Sequence, residues 1–535
     1  MGKCTIALLS ALLCSLLSVV ALAQTKRPTQ AELTAANSNA VDWLHTNHDY
    51  SGQRFVDISE INLSNVARLS PVCVFEDDDT RPFQTNPIVY RGVMYITTAY
   101  STVALDAATC GVRWRHDWKP KAQENWPQQR GVAIKEGKLV RGTLDGYLLA
   151  LDADTGAVLW QRAAADAAKG ETFTMPPLIY EDLVILGPAG NEAIVKGWVG
   201  AFRLDTGEPV WRFDTFAGGT EARSETWSPT DAITSGAAVW TPLSLDSNEG
   251  HVYIPAGNPA PDFYGDVRLG DNLYTDSLVV LDARTGKLIW YYQATPHDTH
   301  DWDLTQVSPH FTAEAKGKSR SLVVVTGKDG LLRVFDRATH ELIYEVPVTR
   351  RENATAPLTV DGVHVCPGTL GGVQWNGLAF SPRTNMLYVP SVEWCGTYKK
   401  AETLRYVEGL SYLGGSYSFD PVQDARGWLT AVDASSGVIR WQYQSSRPMV
   451  AGVTATAADL IFTGELNGDF IVLDARDGTV LYRFDTGAAI SGGIVTYQVG
   501  GRQFVATTSG AATRFWQTPP ASASVVVFSL TKLEN

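Results

Sequence analysis

An all-β fold, an eight-bladed β-propeller, is predicted by three features of this 535-residue chain. A strand–turn–strand motif recurs seven times. Its copies follow one another at 41 to 54 residues, with gaps of 77 and 97 after the third and fifth. The composition adds 47 glycines and 16 tryptophans to a chain that is 44% hydrophobic and 19% charged. Length alone suggests three or four domains. A period near forty to fifty residues instead spends that length on four-stranded blades, none of which can bury both faces without neighbours.

The chain opens with Lys3 and an apolar run from Ile6 to Ala23 that ends in Ala21-Leu22-Ala23. This reads as a secretory signal peptide cleaved after Ala23, leaving residues 24–535 as a single propeller domain in the periplasm. Cleavage removes Cys4 and Cys14, so Cys73, Cys110, Cys366 and Cys395 remain. An even number in an exported chain suggests disulfides, with three possible connectivities. The pairs nearest in sequence, Cys73–Cys110 and Cys366–Cys395, are favoured. The strand-like stretch Asn62 to Phe75 is expected to join the C-terminal run Val525 to Leu530 in a ring-closing eighth blade.

The repeats are VALDAATCGVRW (to Trp114), LLALDADTGAVLW (to Trp160), VGAFRLDTGEPVW (to Trp211) and SLVVLDARTGKLIW (to Trp290). They continue as LLRVFDRATHELIY (to Tyr344), LTAVDASSGVIRW (to Trp441) and FIVLDARDGTVLY (to Tyr482). The aspartates at 106, 152, 205, 282, 336, 433 and 474 cap a tight turn, and glycine closes it in the left-handed region. The final aromatic is expected to pack on the next blade. The two long insertions are where function is sought, since long loops in compact folds usually carry it.

The acidic balance, 57 acids against 44 bases for a net charge of -13, argues against nucleic acid or an anionic membrane as partner. No Cys-x-x-Cys-His occurs, so no covalently attached haem and no cytochrome c domain is encoded.

With DWLHTNHDYSGQRF (Asp42 to Phe55), INLSNV (Ile61 to Val66), AGNPAP (Ala256 to Pro261) and TPHDTHDWD (Thr295 to Asp303), the chain resembles the pyrroloquinoline quinone (PQQ)-dependent alcohol and methanol dehydrogenases. The resemblance covers nearly the whole chain. It implies tryptophan-docking repeats, PQQ across the central channel, and a calcium or lanthanide ion beside it. By resemblance the metal ligands are Glu192, Asn258, Asp301 and, as in lanthanide-using members, Asp303. Asp301 is also the implied catalytic base. Lys328, Arg130, Thr174, Gln84, Gln374, Gly190 and Asn191 are implied PQQ contacts, and Trp240 the planar platform beneath it. Cys366–Cys395 matches a disulfide of the family.

The residue types suit that chemistry. A carboxylate can take a hydroxyl proton. Hard cations take oxygen ligands, and an extra carboxylate favours a trivalent ion. Arginine and lysine pair with the carboxylates of PQQ. There are departures. Glu124 to Trp126 lacks the family's adjacent cysteines. Gln84, Ala189, Ala238, Gln374 and Val450 replace a glutamate, a serine, a threonine, an asparagine and a tryptophan. His297 and His300 offer a competing transition-metal reading. The resemblance implies a quinoprotein oxidising an alcohol to an aldehyde or ketone, with a soluble cytochrome c taking the electrons. The alternative is a non-enzymatic scaffold of the outer-membrane assembly-factor type. Loops carrying Trp126, Trp227, Phe263 and Trp394 are expected to shape substrate choice.

Overall fold

The structure, a computed structural model, describes residues 27–531 except 125, 219–223, 228–230 and 408–409; the segment expected to be a signal peptide, residues 1–23, lies outside the described residues. Among the described residues eight antiparallel sheets carry four or five strands each. The first runs through Ile88–Tyr90, Val93–Thr97, Ser101–Asp106 and Val112–Asp117 in spatial order. The other sheets repeat this meander.

Burial identifies the orientation. First strands are buried or nearly so, wholly in Ile88–Tyr90 and Leu178–Tyr180, whereas fourth strands alternate exposed and half-buried positions, as in Val112–Asp117 and Val158–Ala163. First strands are therefore innermost and fourth strands face solvent. The middle strands read as continuous apolar runs because both their faces meet neighbouring sheets.

The repeat aromatics dock as expected, and the turn glycines are their platforms. Trp114, Trp160, Trp211 and Trp441 donate their indole N–H to the carbonyls of Ala153, Leu204, Ala283 and Ala475 at 3.0, 3.0, 3.1 and 3.1 Å. Each acceptor lies in the turn of the next sheet. There the glycine has positive φ and presses its bare Cα on the indole: a Cβ on Gly156 would lie 2.5 Å from Trp114, and one on Gly478 2.6 Å from Trp441. Glycine thus answers two demands at once, left-handed backbone and close approach. At the fifth copy His340, φ 61°, replaces glycine and stacks on Trp290 at 4.3 Å. Asp106 caps as predicted, its Oδ1 accepting from the backbone N–H groups of Ala108 and Thr109. Asp205 does not anchor its turn. Arg203 holds the place four residues before Gly207, and Asp205 is exposed and pairs with Lys138 at 2.9 Å.

The ends of the chain join as expected. Leu69–Asp77 is the outer strand of the closing sheet, paired with Ala523–Leu530. The segment before Leu69 is a 3-10 turn, Val66–Arg68, rather than strand. Cys73 holds the position that tryptophan holds in other outer strands, just after the same register shift. Cys110, φ 60°, holds the platform position of the next turn. Their disulfide therefore replaces a tryptophan dock where the chain's two ends meet. Cys366–Cys395 is the second disulfide.

The stretch 43–56 crosses the inner strands. Trp43 pairs with Val89, and the carbonyls of Tyr50, Ser51, Gln53 and Arg54 accept from Leu245, His310, Phe380 and Ala455. Phe55–Val56 adds a parallel strand to Thr454–Thr456. These contacts tie the segment across the inner strands of several sheets.

Candidate active site

Sheet connectivity decides which residues can meet. The segment leading into a first strand and the segment leaving a second strand lie at the same end of an antiparallel sheet. Gln84, Arg130, Thr174, Trp240, Asp301, Asp303 and Gln374 all lie just before first strands. Glu192, Asn258 and Lys328 follow second strands, Glu192 in the 3-10 turn Asn191–Ala193. These ten and the remaining two candidates, Gly190 and Asn191, line one cavity of about 300 Å³.

Asn191 organises the metal-side half. Its amide donates to Asn258 Oδ1 at 2.7 Å and its Oδ1 accepts from Ala238 N–H at 2.9 Å. Asp303 Oδ1 accepts from Asn258 N–H at 2.9 Å, an approach that only glycine at 257 permits, since a Cβ there would lie 2.3 Å from that oxygen. Lys328 Nζ stands 3.0 Å from Asp301 Oδ1 and 2.6 Å from Asp303 Oδ2.

Burial pushes the Asp301 carboxyl well above its ordinary range; Lys328 opposes this while Asp303 and Glu192 add to it. Glu192 is likewise raised by burial and by Asp303. Lys328 is held above its usual value, because Asp301 and Asp303 together overcome the burial that would lower it.

The opposite wall is aromatic and cationic. Arg130 lies 5.0 Å from the Trp240 ring and 5.2 Å from that of Trp375. Its Nη1 donates to Thr174 Oγ1 at 2.9 Å and to the Trp240 carbonyl at 3.2 Å. Burial pulls its guanidinium down to about 9. Gln374 donates to the Gly371 carbonyl at 2.9 Å.

These residues fit the two implied groups. Both amide atoms of the buried Gln84 and the Nε of Arg130 have no hydrogen-bond partner, which suits a ligand rich in polar edges. Trp240 offers a flat face. The carboxylates of Glu192, Asp301 and Asp303 with the Asn258 carbonyl form an all-oxygen donor set, and two of them already grip a cationic ammonium.

Of the expected substrate loops, Trp126 and Phe263 line the cavity. Trp227 instead packs on Phe216 at 4.6 Å, and Trp394 donates to the Asp420 carbonyl. Ala189 and Ala238 line the cavity; Val450 is buried behind it among Trp375 and Trp516. His297 and His300 border a separate cavity, where His297 bonds the Gly270 carbonyl and His300 stacks on Trp302. They do not join Asp301 in a metal cluster. Among the described residues, Glu352, His364 and Cys366 do cluster, but the Cys366 sulfur is taken by its disulfide.

Several lining residues escaped the sequence reading, among them Asp262, Trp375, Tyr417, Arg514 and Trp516. Asp262 directly follows the motif Ala256 to Pro261 that drew attention, and Trp375 adjoins Gln374. Trp516 lies in a loop without repeat signal.

A propeller with an acid-and-aromatic cavity at one end of its axis defines a class of ligand-binding propellers, and comparison with known proteins narrows it. Residues 43–355 match the family model described as glucose/ethanol/alcohol dehydrogenase, beta-propeller domain, of the PQQ type. Residues 425–531 match that of the outer membrane protein assembly factor BamB, a stretch holding repeats and none of the twelve site residues. The chain is 31% identical to quinoprotein alcohol dehydrogenase PedH of Pseudomonas putida, over 86% of this chain and 84% of that one. Quinohemoprotein alcohol dehydrogenase ADHIIG of Pseudomonas putida superposes with a TM-score of 0.88 at 25% identity, covering 96% of this chain and 84% of that one. A europium-containing methanol dehydrogenase superposes at 0.86 with 27% identity, covering 94% of this chain and all 100% of that one. The chain belongs to the PQQ-dependent dehydrogenase family.

Proposed function

We propose that this PQQ-dependent alcohol dehydrogenase is a periplasmic enzyme whose residues 24–535 form one propeller, with the eight sheets as its blades. It oxidises an alcohol to an aldehyde or ketone and passes electrons to a separate soluble cytochrome c. The observation that carries the site assignment is the convergence of all twelve nominated residues on one cavity.

In this reading Glu192, Asn258, Asp301 and Asp303 hold a calcium or lanthanide ion. Arg130, Thr174, Gln84, Gln374, Gly190, Asn191 and Lys328 hold PQQ above the Trp240 face. When bound, PQQ supplies a hydride acceptor and the cation a Lewis acid. Asp301 accepts the hydroxyl proton, and burial, by raising its carboxyl, makes it a stronger base than a surface aspartate. Lys328 steadies that carboxylate and moderates its basicity.

Reconstitution tests the reading. Mature protein is loaded with PQQ and either calcium or lanthanum, and reduction of an artificial acceptor is followed with a panel of alcohols. Turnover with lanthanum alone would support Asp303 as a ligand, while equal turnover with calcium would count against it. No PQQ binding and no dye reduction with either metal would end the enzyme reading.

A further inference from the structure

Asp262 is the one acid of the cavity that the proposed reaction leaves without a task. Its side chain is buried, with the residue 2% exposed, and it lines the cavity. Its Oδ1 has no hydrogen-bond partner. The charges that act on it are Asp301, Glu192 and Asp303, all of the same sign, and a single cation, Arg268. That guanidinium is committed elsewhere: it donates to the carbonyls of Pro261, Asp262 and Asp298 and to Asn272 Oδ1, not to the Asp262 carboxylate. A buried carboxylate without an ion pair is costly and calls for a cationic partner.

The cations of the cavity are outnumbered. Glu192, Asp262, Asp301 and Asp303 share its lining with Lys328, Arg130 and Arg514. The three carboxylates of PQQ would outweigh a divalent ion and balance a trivalent one, so the excess of cavity acids over cavity cations remains with both groups in place. Aromatic rings stand close by. Phe263 adjoins Asp262 and lies 6.0 Å from Tyr417, and Trp375 and Trp516 line the same cavity. A carboxylate beside aromatic faces is the chemistry that recognises an ammonium group.

We propose that Asp262 determines specificity and that the alcohol oxidised here carries a positively charged ammonium group, which Asp262 and the neighbouring rings bind while the hydroxyl lies at Asp301. This rests on the dehydrogenase reading. The ammonium takes no part in the reaction: the hydroxyl proton would leave to Asp301, and PQQ, when bound, would supply the acceptor for the hydride and its electron pair from the carbinol carbon.

Choline and 3,3-dimethylbutan-1-ol have nearly the same shape and differ in charge. On the loaded enzyme, kcat/KM should favour choline by about ten- to a hundredfold, the worth of one desolvated ionic contact. Asp262→Asn should bring the two near parity, and Asp262→Glu should keep the preference. Tetramethylammonium has no hydroxyl to oxidise, so calorimetry on the same protein reads binding alone. It should bind the wild type and not Asp262→Asn. Should that variant fail to fold, the wild-type preference and the calorimetry still decide. Equal use of the neutral alcohol, or no tetramethylammonium binding, would overturn the proposal. So would an Asp262→Asn variant that keeps the choline preference but loses terbium affinity by luminescence, since Asp262 would then be a metal ligand. If no alcohol is oxidised, the dehydrogenase reading fails, and the calorimetry alone judges Asp262.

Discussion

Lys328→Met removes the ammonium between Asp301 and Asp303 and keeps much of its aliphatic bulk. In the metal-free protein this leaves two carboxylates facing each other with Glu192 and Asp262 nearby. Removing one partner of a buried ion pair costs about 3–5 kcal/mol. Unfolding entropy is about 2 cal/mol/K per residue, so a chain of this length changes its melting temperature by about 1 °C per kcal/mol. The expected drop is therefore about 3–5 °C at neutral pH. The effect also has a pH signature. Burial raises the Asp301 carboxyl, so the folded protein retains a proton that the unfolded chain releases. That contribution is full below the ordinary value of 3.8 and is lost as pH rises through the raised value. Without Lys328 the raised value climbs further, so the variant's deficit should be small near pH 5 and grow toward pH 8. Lanthanum should restore the variant by more degrees than it adds to the wild type, because the metal takes over the cation's place. Scanning calorimetry across pH, with and without lanthanum, measures all of this. A metal-free variant that melts with the wild type at pH 8, or a deficit that does not change with pH, would refute the reasoning.

Asp301→Asn should lower kcat by about 10²–10⁴, the range for a general base, while the melting temperature stays level or rises as one buried charge disappears; steady-state kinetics beside a thermal melt checks both. Replacing Cys73 and Cys110 by alanine opens a loop of sequence separation 37 and should cost about 4 kcal/mol, or about 4 °C. Hydrogen exchange should then rise first in Leu69–Asp77 and Ala523–Leu530. Gly478→Ala meets both positive φ and Trp441 at 2.6 Å and should cost about 2–4 kcal/mol, whereas Gly317→Ala, with positive φ but no atom within 4 Å, should cost about 1 kcal/mol.

The fold was legible because each repeat couples a capped turn to an aromatic a fixed distance on, and both ends of that contact are written locally. Cys110 and His340 depart from glycine yet keep positive φ, so the pattern survives its exceptions. Asp205 misled because the third copy carries Leu-Asp-Thr-Gly, placing an acid two residues from the cap position. The site was legible wherever a motif sat beside a first or second strand, as with Asn258, Asp301 and Lys328. Trp516 was not, because its loop, 510–522, carries no strand signal and reaches the cavity only through ring closure. Trp227 and Trp394 were nominated on residue type alone, and packing turned both away.

Residues 43–56 satisfy inner-strand amides with backbone carbonyls, and Arg54 is buried with donations to the Val453, Thr46 and Ile494 carbonyls. The matching is incomplete, since His48 Nδ1 and both carboxylate oxygens of Asp49 have no hydrogen-bond partner. In the cavity, Gln84, Arg130 and Asp262 are equally buried and also carry unmatched atoms. Unmatched atoms that line a cavity can be met by a bound ligand, which offsets the cost of burying them. The stability spent on those groups is recoverable as binding energy for metal, cofactor and substrate. Removing the metal should therefore destabilise the loaded protein far more than it displaces any strand.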